Sequence, residues 1–194
     1  MKKIFMVIAM AVAAITANAQ QFRITPHLGL GWMHFSQPSG SDDVKNQGFA
    51  FLGGAEFEYY LTEKFGVSAG LDYVFSRSDK DKNSLYGDDW MYYQHSYLNI
   101  PVLAQYHFGS LAVKAGVQPA FLISADYHDA KGDTHSEKDG YKSFSLSLPV
   151  GLSYDFKFPL TLDLRYAIPL TKQNKEGDFD VKQTTVALTF GYRF

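Results

Sequence analysis

Thr185-Val186-Ala187-Leu188-Thr189-Phe190-Gly191-Tyr192-Arg193-Phe194 closes the chain and alternates without a break. Val186, Leu188, Phe190, Tyr192 and Phe194 share one face; Thr185, Ala187, Thr189, Gly191 and Arg193 share the other. A period of two is the signature of a strand whose two faces meet different surroundings.

The same period recurs upstream. Phe22, Ile24, Leu28, Leu30 and Trp32 oppose Arg23, Thr25, His27, Gly29 and Gly31. Phe49, Phe51, Phe57 and Tyr59 oppose Gly48, Gly54, Glu56 and Glu58, and Val67, Leu71, Tyr73 and Phe75 oppose Ser68, Gly70, Asp72 and Ser76. Further runs centre on Leu98–Phe108, Leu111–Ile123, Phe144–Tyr154 and Leu160–Ile168. That makes eight strands, with no helical stripe after Phe22. Residues 62–65, 108–110 and 156–159 read as tight turns, whereas 36–47, 77–91, 125–142 and 171–183 are long and polar. Short turns at one end and long loops at the other predict an all-β fold, an eight-stranded antiparallel up-and-down transmembrane β-barrel. Aromatics near strand ends (Trp32, Phe35, Tyr92, Tyr93, Tyr154, Phe156 and Tyr192) fit interfacial girdles.

Composition agrees with that layout. The 194 residues are 46% hydrophobic and 16% aromatic, yet mean hydropathy is −0.18, so apolar residues are interleaved with polar ones. The formal charge of −2 argues against a nucleic-acid partner. Zero cysteine removes disulfides, thiolate metal sites and cysteine nucleophiles. Lys2 and Lys3, the apolar run Ile4 to Ile15, and Ala17-Asn18-Ala19 together read as a secretory signal peptide cleaved after Ala19. The expected organisation is therefore a leader over 1–19 and a barrel over 20–194. The leader's apolar run is too short to span a bilayer as a helix.

Tyr97-Leu98-Asn99-Ile100-Pro101-Val102-Leu103 resembles a signature of the outer-membrane protein beta-barrel domain family, often described as porin-family proteins. Ala115-Gly116-Val117-Gln118-Pro119, Leu162-Asp163-Leu164-Arg165-Tyr166 and the terminal Thr189–Phe194 are similar to the same family. The resemblance implies an eight-stranded outer-membrane barrel, and some members serve in type IX secretion. It also implies that Tyr192 and Phe194 form the C-terminal signal read by barrel-assembly machinery. No catalytic residue is carried over.

The face turned from lipid carries Arg23, Glu56, Glu58, Asp72, Lys114, Asp163, Arg165 and Arg193. These predict a polar network that plugs the lumen and fixes register, since a barrel of this size is filled by side chains. A regular hairpin over 62–65 would set Glu56 opposite Asp72 and Glu58 opposite Gly70. Asp79, Asp81 and Asn83 begin like a calcium loop, but Ser84 and Trp90 stand where Gly and Glu are required. His128 and His135, with Asp126, Asp129 and Asp133, read as a solvated loop. His27 and His107 face the lumen without an obvious nucleophile, and the neighbours His95-Ser96 and His135-Ser136 point to opposite faces. Pro101, Pro119 and Pro149 sit inside strands and predict local bulges.

No catalytic, cofactor or metal site is assigned. The expected role is non-enzymatic: envelope structure, surface interaction or secretion support. Its partners would be outer-membrane lipid and lipopolysaccharide, barrel-assembly machinery, and envelope or secretion proteins. A lipid A-modifying enzyme and a soluble periplasmic lipid-binding barrel are the alternatives.

Overall fold

The computed structural model describes residues 22–36, 46–79, 92–128, 133–136, 138–174 and 182–194. In chain order the strands are β1 (Phe22–Ser36), β2 (Asn46–Tyr60), β3 (Phe65–Asp79), β4 (Tyr92–Asn99), β5 (Val102–Phe108), β6 (Leu111–His128), β7 (Thr134–Ser136), β8 (Phe144–Asp155), β9 (Leu160–Pro169) and β10 (Lys182–Tyr192). β4 and β5 form one stave, because β3 and β6 flank them both. β7 pairs with the end of β6. The remaining pairings run in sequence, and β1 joins both β2 and β10. The fold is thus a closed antiparallel barrel, in which each of the eight staves is paired on both sides.

Three pairs of neighbouring staves are joined by tight turns. Leu61 N and Thr62 N both donate to Phe65 O at 2.9 and 3.0 Å, and Thr62 Oγ1 accepts from Phe65 N at 2.9 Å. Between β5 and β6 the turn is Gly109-Ser110, with φ of +71° at Gly109 and no positive φ at Ser110. A positive φ at the first central residue alone is the II′ hairpin pattern, which matches strand twist and favours glycine. Phe194 N donates to Ile24 O at 3.0 Å, so the first and last described strands finish at this same end. In outer-membrane barrels the short-turn end faces the periplasm.

The outward face is apolar across its middle, where Leu28 is 72% exposed and Phe51 61%, and the exposed His34 and Arg77 enter it only toward the long-loop end. Near the periplasmic end aromatic pairs crowd this face, including Tyr106–Phe108 (4.8 Å between centroids), Tyr154–Phe156 (5.0 Å) and Tyr192–Phe194 (4.8 Å). Toward the other end Trp32 meets Phe49 edge-on at 4.5 Å. Tyr93 does not belong to this girdle: it lies opposite Ser78 and Tyr127, and Ser78 is on the buried, inward face. Phe35's side chain lies outside what is described.

Two expectations about the wall need correction. The 125–142 segment is not one loop, since β6 continues to His128 and β7 returns along it, with Tyr127 opposite His135. A short 3-10 turn (Lys138–Gly140) follows, and Tyr141 bridges to Asn174. A polar composition hid these pairings, because a strand beyond the bilayer has no need of an apolar face. Second, the prolines do not shift register. Asn99 pairs Ala120 and Val102 pairs Val117, one continuous alignment across Pro101 and Pro119. Each proline loses its own N–H but keeps its carbonyl: Gly70 N donates to Pro101 O (2.8 Å), and Ile100 N to Pro119 O (2.9 Å). Opposite Pro149, pairing with β6 lapses between Ala115↔Val150 and Gln118↔Ser147 and resumes in the same alignment. Losing a bond is cheaper than a slip, because a one-residue slip would turn every following side chain to the wrong solvent. The described bulge lies elsewhere: Ser96 pairs Ser124 and Tyr97 pairs Leu122, leaving Ile123 extra.

Candidate functional site in the barrel lumen

Alternation delivers one residue in two to the interior, and in the periplasmic half nine of these are Asp, Glu, Lys or Arg. Lys114 Nζ donates to Glu56 at 2.8 Å and lies 3.3 Å from Glu58 and 3.4 Å from Asp163. Arg165 donates to Glu56 at 3.0 Å, with Asp163 at 3.4 Å and Asp72 at 3.6 Å. Below them Arg23 reaches Asp155 at 3.0 Å and Glu58 at 3.3 Å, and Arg193 reaches Asp155 at 2.9 Å. The Arg193 guanidinium also donates to the carbonyls of Phe156 and Phe158, at 2.6 and 2.7 Å. Lys114, Glu56, Glu58, Asp72 and Asp163 are buried.

These contacts cross the barrel rather than running along its wall. Glu56 is on β2, Lys114 on β6 and Arg165 on β9, none of them neighbouring strands. Each buried ion would be expensive alone, so the layer holds only because every charge meets several partners. Five carboxylates (Glu56, Glu58, Asp72, Asp155 and Asp163) face four Lys or Arg cations. His27 adds a fifth donor: its Nε2 lies 2.9 Å from Asp72 and its Nδ1 3.2 Å from Thr25 O.

All eight charged residues singled out from the sequence sit in this interior. Their expected pairing was wrong in detail: Glu56 lies opposite Gly70 and Glu58 opposite Ser68, while Asp72 lies opposite Gly54. The Thr62 turn closes the hairpin on Tyr60↔Gly66, which moves every partner by two residues and keeps the faces unchanged. Three participants were missed: Asp155, the His27–Asp72 pair, and Tyr60, whose hydroxyl donates to Glu58 at 3.1 Å beneath the Arg23 guanidinium. Their presence on the polar face was the available signal. What alternation lacks is the stagger between staves, which decides who meets whom across the lumen.

The extracellular half differs. Met33, Ala50, Val74, Tyr97, Leu122 and Ala125 form a buried apolar cluster with Leu52 against it. Leu52 and Val74 are cross-strand partners on the inward face.

The remaining histidines are dispersed. His128 stacks on Tyr92 at 4.4 Å, and its ring nitrogens meet Gln94 Oε1 (3.0 Å) and Thr134 Oγ1 (3.1 Å). His135 lies instead beside Tyr127, one register position away and so on the other face. His107 packs against Tyr60 at 5.1 Å. Ser96 accepts a hydrogen bond from the Tyr73 hydroxyl at 3.1 Å. Among the described residues no three metal-ligating side chains converge. The calcium-like stretch 80–91, Asp129 and the leader 1–19 lie outside the described residues.

An apolar outer belt around a polar, cross-braced interior defines the class: this is a β-barrel protein of the outer membrane. The chain belongs to the outer membrane protein beta-barrel domain family, whose model matches residues 18–173. Curated proteins offer no match. Among solved structures it is similar to the outer membrane protein OprG from Pseudomonas aeruginosa (17% identity, 90% of this chain and 96% of that one, TM-score 0.56). It is also similar to Neisserial surface protein A (16% identity, 89% and 97%, TM-score 0.53). A third is Ail of Yersinia pestis, solved with the heparin analogue sucrose octasulfate (17% identity, 90% and 99%, TM-score 0.51). At such identities the likeness concerns the fold alone.

Proposed function

We propose that this protein is a non-enzymatic outer-membrane barrel whose charged layer plugs the lumen and whose long extracellular loops carry its interactions. The role is envelope structure, surface binding or support of a secretion apparatus. Residues 1–19 act as the leader, Tyr192 and Phe194 as the signal for barrel-assembly machinery, and lipid and lipopolysaccharide surround the wall. The observation that carries this reading is the cross-lumen bracing of Glu56 by Lys114 and Arg165, at 2.8 and 3.0 Å. A hydrated pore of this width would have to break those pairs. The histidines support a non-catalytic interior, since both His27 nitrogens are engaged by Asp72 and Thr25, neither of them a nucleophile.

Planar-bilayer recording with the purified barrel tests the plug. No stepwise conductance is expected at neutral pH; stable unitary steps abolished by a lumen substitution would overturn it.

A further inference from the structure

Above the charged layer the lumen contains a cavity of about 70 Å³, with Leu52, Val74 and Ala187 on its wall and Asp72, Asn99 and Arg165 at its floor. The floor residues are neighbours. Asn99 is the cross-strand partner of Asp72, Ala187 is that of Arg165, and the Arg165 guanidinium lies 3.6 Å from Asp72 Oδ2. Asp72 Oδ1 is held by His27 at 2.9 Å. Asn99 Oδ1 is buried and has no hydrogen-bond partner among the described residues. A buried acceptor without a donor carries a desolvation penalty that an incoming donor relieves.

The floor also decides what kind of donor fits. Arg165 opposes an incoming cation and Asp72 an anion, so the matching ligand is neutral. A hydroxyl both donates and accepts. One hydroxyl serves Asn99 Oδ1. A second fits between Arg165 and Asp72 Oδ2, accepting from the guanidinium and donating to the carboxylate across a gap too long for a direct bond. Water alone would meet these groups but leave the Leu52, Val74 and Ala187 wall wetted, whereas a carbon skeleton covers it. At about 15 Å³ for each water-sized group, the cavity holds about five such groups. We propose that it binds a small neutral vicinal diol, its hydroxyls on Asn99 and on the Asp72–Arg165 pair and its carbons against Val74 and Ala187. The site goes beyond the plugged-barrel role, and binding with no conductance leaves that reading intact.

The test uses the full barrel in detergent micelles, followed by nitrogen-15 NMR during titration with propane-1,2-diol, propan-1-ol, n-propylammonium or propionate. With the diol, saturable shifts are expected at the Asn99 side-chain amide and at the Val74 and Ala187 backbone amides. Propan-1-ol, with one hydroxyl, should bind at least fivefold more weakly, and the two ions should leave these signals in place. Asn99→Leu removes the acceptor and Ala187→Leu fills the wall beside Arg165; each should raise the Kd for the diol at least tenfold. Should either variant fail to give a dispersed spectrum, the other and the four-ligand series on the unaltered barrel decide. Diol shifts that rise without saturation, as for a cavity that holds only water, would overturn the proposal. So would binding of propan-1-ol or of either ion as tight as that of the diol, or an unchanged Kd in a folded variant.

Discussion

Glu56 and Leu52 lie four residues apart on the same face of β2, and they enter opposite interiors. Glu56 is gripped by a lysine and an arginine from across the barrel, whereas Leu52 leans on Val74 and an apolar cluster. The periplasmic half is thus held by charge and the extracellular half by packing, although one wall serves both. The difference teaches that a filled lumen needs complementary partners rather than polarity as such. Ionised groups suffice only where enough of opposite sign converge to satisfy one another. Apolar groups need no such matching, and leave room where they fit imperfectly.

The sharpest way to break this contrast is to remove a charge from the lower half. Glu56→Ala leaves Lys114 and Arg165 without their shortest contacts. Stripping one partner from a buried pair typically costs about 3–5 kcal/mol. Urea unfolding in lipid vesicles should show a loss in that range. A loss below about 1 kcal/mol would place the layer with exposed ion pairs, which contribute little.

Next in size is the boundary between the halves, where Pro101 enters the lumen beside Gly70. A Cβ built on Gly70 would stand 2.8 Å from Pro101 Cγ, too close for either to stay in place. Gly70→Ala should lose about 1–3 kcal/mol, the usual range for overpacking. Unchanged stability would mean that the proline ring has freedom the tight contact denies it.

A smaller effect is expected above. Leu52→Ala removes apolar contact from a partly buried site, and about 1–2 kcal/mol is expected, below the range for fully buried leucines. The comparison is sharpened if this loss is independent of salt while that of Glu56→Ala grows or shrinks with it. A Leu52→Ala loss equal to that of Glu56→Ala would erase the distinction between the two halves.

The sequence shows the wall more clearly than the interior. Alternation from Phe22 to Phe194 reports only which solvent each side chain meets, and lipid is a stringent one, so strand number and faces were readable. Partners across the lumen depend on shear and on the exact closure at Thr62, and neither leaves a mark within a single strand. The upper cluster escaped because Leu52 and Val74 sit among glycines and acids on the face that reads as polar. Pro101 and Pro119 misled in the other direction. They look like breaks, yet each keeps a carbonyl bond to its neighbour, at 2.8 and 2.9 Å.

The smallest effect on stability is expected at Phe194, and there it separates folding from delivery. Its ring is 77% exposed and meets Tyr192 at 4.8 Å on the outer face, while its backbone N–H is held by Ile24 O. Phe194→Ala keeps that backbone bond and leaves the Arg193–Asp155 pair untouched. Stability of the purified barrel should therefore change by no more than about 0.5 kcal/mol, as for ordinary surface positions. If Tyr192 and Phe194 are read by assembly machinery, the amount of heat-modifiable barrel in the outer membrane should fall several-fold at equal synthesis. A fall in stability without a fall in assembly would make the terminal ring a structural member of the girdle. Normal assembly at normal stability would leave the terminal pair without the role proposed for it.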